Sequence, residues 1–81
     1  MKKTVYFATD YYDRQVIESI IEKYNLNPLE AAKSFIMSKT HAMLEDEEYG
    51  LLSMPTYEVF DMWEEERITG DPRNSVYVRG E

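Results

Sequence analysis

Apolar residues recur along this chain at helical spacing in three stretches. In the first, Val16, Ile17, Ile20, Ile21 and Tyr24 follow an i, i+3/i+4 pattern, with Gln15, Glu18, Ser19 and Glu22 opposite. The pattern predicts a helix over residues 10–25. Asp10 is its candidate cap, and Asp13 suits the positive end of the helix dipole. The second stretch predicts a helix over residues 28–45. Asn27 can accept from first-turn amides, Pro28 loses nothing by lacking an N–H there, and Glu30 can reach back. Leu29, Ala32, Phe35, Ile36, Ala42 and Met43 then share one broad arc at ~100° per residue. Lys39 falls inside that arc. Either its stem lies along the core with the ammonium in water, or the helix is interrupted near residues 38–40. A third reading sets Lys39 against a carboxylate of the acidic half. Acids at residues 45–48 oppose the dipole, so the helix is expected to stop near them, with Gly50 as a left-handed closing residue. Leu51 and Leu52 are expected to pack back on the core.

The third stretch predicts a helix over residues 55–69. Pro55 suits its first turn, and Ser53 or Thr56 is its candidate cap. Tyr57, Val59, Phe60, Met62 and Trp63 form the apolar face, with Glu58, Asp61 and Glu65 on the other side. The sequence Gly70-Asp71-Pro72 ends the helix. Both termini are ambiguous. Residues 2–9, KKTVYFAT, read as a short strand or as the first turns of the helix that follows. Val76 and Val78 alternate with Tyr77 and Arg79, as a strand pairing with residues 4–8 or as a loose tail. The expected fold is therefore mainly α: a single three-helix domain over residues 1–81, with a tail from residue 70 and the option of short β-strands at the termini. The expected core is Val16, Ile17, Ile20, Ile21, Leu29, Phe35, Ile36, Met43, Leu51, Val59, Phe60 and Trp63.

Length changes this picture by limiting the core. An 81-residue chain buries only about 60–65% of the surface its unfolded form exposes. Such domains lean on disulfides, metals or partners. There is no cysteine and a single histidine, His41, which leaves a partner protein or a homodimer as the expected supplement. Eleven aromatic residues and only three glycines argue against disorder. No apolar run approaches the ~20 residues of a membrane span. The basic start, MKK, is not followed by a signal-peptide core. A cytoplasmic protein without a membrane role is the expectation.

Charge divides the chain. Residues 1–40 carry six basic and five acidic groups, net +1; residues 41–81 carry three and eleven, net −8. A nucleic-acid surface neutralises phosphates with Lys and Arg, so the second half disfavours nucleic acid and suits a basic protein partner.

Catalytic chemistry has no foothold. The chain lacks a glycine-rich phosphate loop and a nucleophile elbow. His41 and Glu45 stand one helical turn apart, but a zinc site needs three or four ligands and there is no second histidine. Adjacent acids on one segment are not two carboxyls facing each other across a cleft. Neither an enzyme nor a cofactor is expected. Tyr11 and Tyr12 lie off the first apolar stripe or at its edge, and the burial of Tyr6, Tyr49 and Tyr57 is open; such rings suit an interface or close a thin core.

Two functions fit these features. The first is a protein-interaction module whose acidic half docks a partner through Glu45, Asp46, Glu47, Glu48, Trp63, Glu64, Glu65 and Glu66. Neutralising Glu64, Glu65 and Glu66 is then expected to weaken binding and leave the fold intact. The second is a small dimeric DNA-binding regulator of ribbon-helix-helix type, whose strand would present Lys2, Lys3, Thr4 and Tyr6. Glu30 at the helix end that would meet a phosphate speaks against it.

Ser38, Lys39, Thr40 and residues 44–52, followed by Ser53, Tyr57 and residues 60–66 (FDMWEEE), resemble short uncharacterised bacterial proteins found beside toxin-like genes. With the isoleucine-rich helix and NPLEAA, the resemblance spans roughly residues 10–66. It implies a non-enzymatic bacterial companion protein of antitoxin type.

Overall fold

The computed structural model describes residues 2–75, leaving out the side chains of residues 2–8 and of Glu47. The described part is mainly helical. Helix α1 is Lys2–Tyr24, α2 is Pro28–Ile36, α3 is Lys39–Glu45 and α4 is Thr56–Thr69. Short 3-10 turns at Glu47–Tyr49 and Leu51–Ser53 join α3 to α4, and a third, Pro72–Asn74, folds back against α4. α1 packs along both α2 and α4, and α3 closes the bundle against α4.

The N-terminal ambiguity resolves as helix. Residues 2–9 contain no glycine or proline, and a helix already established downstream extends backwards at one hydrogen bond per residue. The strand needed by the ribbon-helix-helix alternative is therefore not formed. Asp10 is an interior residue rather than a cap, and it pairs with Arg14 one turn on, at 3.4 Å. The alternation at residues 76–79 lies outside the described residues.

The second expected helix is two helices. The start at Asn27 is as read: its Oδ1 accepts from the Glu30 amide at 2.8 Å, with Pro28 in the first turn. The helix breaks at Ser38, an extended residue that begins a new one. Its hydroxyl accepts from the His41 amide at 3.0 Å and donates to the Phe35 carbonyl at 2.6 Å. The interruption reading of Lys39 is therefore the correct one. Its ammonium donates to the Gly70 carbonyl at 2.9 Å, at the carbonyl-rich end of α4.

That break resets the phase of the apolar stripe. α2 buries Ala31 and Phe35; α3 buries Thr40, His41 and Leu44. Leu29 and Ile36, expected in the core, are 70% and 44% exposed. The buried core is Tyr12, Val16, Ile20, Ala31, Phe35, Leu44, Leu51, Val59, Met62 and Trp63, with Ile17, Ile21, Met43 and Phe60 half-buried around it. At α4 neither candidate cap works. Pro55 precedes the helix with no side-chain cap, and the Ser53 hydroxyl donates to the Gly50 carbonyl instead. Gly70 ends α4 in the left-handed region, φ 85°, where an L side chain is strained.

Candidate functional site

Two acids of α4, Glu64 and Glu66, turn to donors on neighbouring helices. Trp63 is 1% exposed, and its indole N–H donates to the Ser34 carbonyl at 3.2 Å. Phe60 stacks on it, and the Arg67 guanidinium lies 5.0 Å from its ring centre. Trp63 is a core residue, unavailable to a partner. Glu64 accepts from the Lys23 ammonium and the Tyr24 hydroxyl, each at 2.5 Å. These bonds raise the pKa of both donors, with Glu64 the leading cause in each case.

Glu66 is the N-terminal anchor of α3. One carboxylate oxygen accepts from the Lys39 amide at 2.8 Å; the other accepts from the Thr40 amide and hydroxyl, both at 2.9 Å. A short helix exposes amides that no carbonyl of its own can satisfy. Here a carboxylate from another helix, 27 residues along the chain, supplies the acceptor. Neutralising residues 64–66 would therefore disturb the fold as well as the charge.

The described acids at the end of α3 and just beyond it face outward. Glu45, Asp46 and Glu48 are exposed, and Asp46 Oδ1 accepts from the Glu48 amide at 3.0 Å, tightening the turn. Tyr49, 53% exposed, follows on the same turn. Beside it opens a cleft of about 420 Å³, with Tyr49, Asp46, Met43, Lys39, Pro72 and Arg73 on its walls. The far wall is a capped turn. Asp71 caps its turn by accepting from the Arg73 amide at 2.9 Å, and the Arg73 guanidinium closes on both its carboxylate oxygens at 3.1 Å. That clamp lowers the Asp71 pKa. Ser75, buried behind it, donates to Asp61 at 2.6 Å.

His41 lies at the root of this segment. Its Nε2 is 3.0 Å from Asp13 Oδ1 on α1, and its Nδ1 is 3.6 Å from Glu45 Oε1. The Phe35 ring meets the imidazole edge-on at 5.2 Å between centres. Asp13 is the main cause of a raised His41 pKa; burial opposes the rise, and Glu45 adds to it. Among the described residues no group of three or more His, Cys, Asp or Glu side chains is arranged to hold a metal ion.

Sequence reasoning missed Asp13 and Tyr12. The Tyr12 hydroxyl donates to the Leu52 carbonyl at 3.1 Å and also to the Met54 carbonyl, tying α1 to the loop before α4. Their signal was present: Tyr12 precedes Val16 by four and Ile20 by eight, which puts it on the apolar stripe. The candidate DNA contacts Lys2, Lys3, Thr4 and Tyr6 sit on the first turns of α1, and their side chains lie outside the described residues. No described helix is long and apolar enough to cross a membrane. No protein-family model, curated protein or solved structure matches the chain.

Proposed function

We propose that this chain is a non-enzymatic protein-interaction domain whose partner docks on the outward acidic segment and the adjoining cleft. The observation that carries the reading is the exposure of Tyr49 between Glu48 and the cleft, on a segment whose described acids point to solvent. Amphipathic rings at the centre of a charged rim are the usual anchors of an interface. The net charge of −8 over residues 41–81 selects a basic partner segment and speeds its approach. The antitoxin-like companion role rests on the sequence resemblance alone. The DNA-binding alternative is set aside with its strand.

The test compares the wild-type protein with an Asp46→Asn, Glu48→Gln, Tyr49→Ala variant, each immobilised and exposed to host extract at low and high salt. A partner retained at low salt by the wild-type protein, released by salt and lost from the variant supports the reading. Equal retention by both proteins defeats it.

A second surface favours self-association. Leu29, Ile36 and Met37 leave α2 with an outward apolar edge. Sedimentation of the wild-type protein and a Leu29→Glu, Met37→Glu variant reads it: a concentration-dependent dimer, abolished in the variant, is the expected result, and a monomer at every concentration excludes it.

A further inference from the structure

We infer that α3 is docked on α1 through a proton held by His41, so that the placement of the acidic segment depends on pH. The imidazole stands between two helices with a carboxylate off each nitrogen, Asp13 from α1 and Glu45 from α3 itself. A neutral imidazole has one N–H, and its other nitrogen presents a lone pair; an imidazolium has two N–H groups and no lone pair. Only the charged form is attractive to both carboxylates. His41 Nε2 and Asp13 Oδ1 are sealed from solvent, and neither has a hydrogen-bond partner among the described residues, so their 3.0 Å ion-pair contact is what each of them has. Loss of the proton thus leaves a buried carboxylate oxygen against either a lone pair or a weaker, neutral donor, and water cannot reach in to compensate.

The other charges nearby are committed elsewhere. On α1, Asp10 and Arg14 pair with each other in solvent. From α4, Glu66 is bound to the α3 amides of Lys39 and Thr40. In the turn beyond α3, Asp46 holds the Glu48 amide. From α2 the imidazole meets the uncharged ring of Phe35. Asp13 and Glu45 are the charges that respond to His41.

The mechanical consequence follows from the size of α3. A seven-residue helix is far below the roughly 12–15 residues at which a helix begins to persist by itself. It is held by its burial and by polar ties to its neighbours: Glu66 and the Gly70 carbonyl at its first turn, and Asp13 at its middle. Glu66 grips its first turn through the amides of Lys39 and Thr40. His41 grips its middle most strongly while protonated, one turn before the acidic segment begins. The sign is that of a raised histidine. The tie contributes fully below the ordinary histidine value of about 6.5 and is lost as pH rises through the higher folded-state value. Any effect on partner binding rests on the docking surface proposed above; the docking of α3 does not.

The experiment is an NMR titration of the wild-type protein, following the His41 ring nitrogens and the amides of α3. The expected result is a doubly protonated ring at pH 6.5, a midpoint above the ordinary histidine value, and α3 amides that shift and exchange faster with that same midpoint. In Asp13→Asn the His41 midpoint falls back toward or below the ordinary value, and α3 loses its pH response. A single neutral tautomer at pH 6.5, or α3 amides indifferent to the His41 titration, overturns the inference. If Asp13→Asn does not fold, the wild-type titration decides alone. An intact titration with no partner binding at any pH would discard the proposed function and leave this coupling standing.

Discussion

Glu45, Asp46, Glu47 and Glu48 form one unbroken acidic run, and Glu64, Glu65 and Glu66 form another. What separates them is the supply of donors opposite. The second run lies on α4 facing Lys23, Tyr24 and the bare amides at the start of α3, and Glu64 and Glu66 turn inward to meet them. The first run begins on the last residue of α3, where the helix offers carbonyls rather than amides; its described side chains are exposed, with Glu45 beside His41 and Asp46 on the Glu48 amide. Acidic composition by itself does not distinguish a docking surface from a structural anchor; the partner group across the gap does.

The largest expected effect lies between the two runs in character. Trp63 is fully buried beside the inward-facing acids, so Trp63→Ala should cost about 3–5 kcal/mol in urea denaturation. A protein of unchanged stability would return Trp63 to the surface and break the comparison. Next is Glu66→Ala, which strips three donors of their acceptor at the start of α3; a loss of about 2 kcal/mol is expected, by the same measurement. Glu66→Gln keeps the shape and one acceptor oxygen, and its loss should fall between that of Glu66→Ala and none. Raising the pH from below the ordinary histidine value to well above the folded-state value of His41 should lower the wild-type denaturation midpoint, and the drop should be smaller in His41→Gln. Glu64→Gln weakens bonds to Lys23 and Tyr24 at a wetter site, and its shift in midpoint should be smaller than that of Glu66→Gln. Least of all, Asp46→Asn with Glu48→Gln should stay within about 0.5 kcal/mol of wild type, while reducing the salt dependence of partner binding.

The helical class, the Asn27 cap, the stop at the acids and the Gly70 terminus were legible because each depends on neighbours in the chain. The apolar stripe of α1 was legible for the same reason. Leu29 and Ile36 were misplaced because the expected arc ran on through Ala42 and Met43 beyond the break at Ser38, whereas α2 by itself turns Ala31 and Phe35 inward; a serine also occurs inside helices, so the break carried no signal. The N-terminal helix was undecided because β-branched and aromatic residues suit either state until a strand partner is present or absent. The roles of Glu66 and Asp13, and the partner of the Trp63 indole, were hidden for a different reason. Glu66 meets α3 across 27 residues of chain and Trp63 meets Ser34 across 29. Periodicity places a side chain on a face, and only packing says what stands opposite.

The contrast between the acidic runs is tested most directly by paired urea denaturations at neutral pH, one on Glu64→Gln, Glu66→Gln and one on Asp46→Asn, Glu48→Gln. Both variants lose two negative charges, so changes in overall repulsion are matched. A clearly lowered midpoint for the α4 variant beside an unchanged one for the other is the predicted result. Equal midpoints, or a larger loss from Asp46→Asn, Glu48→Gln, would contradict the division of the acids into anchor and surface.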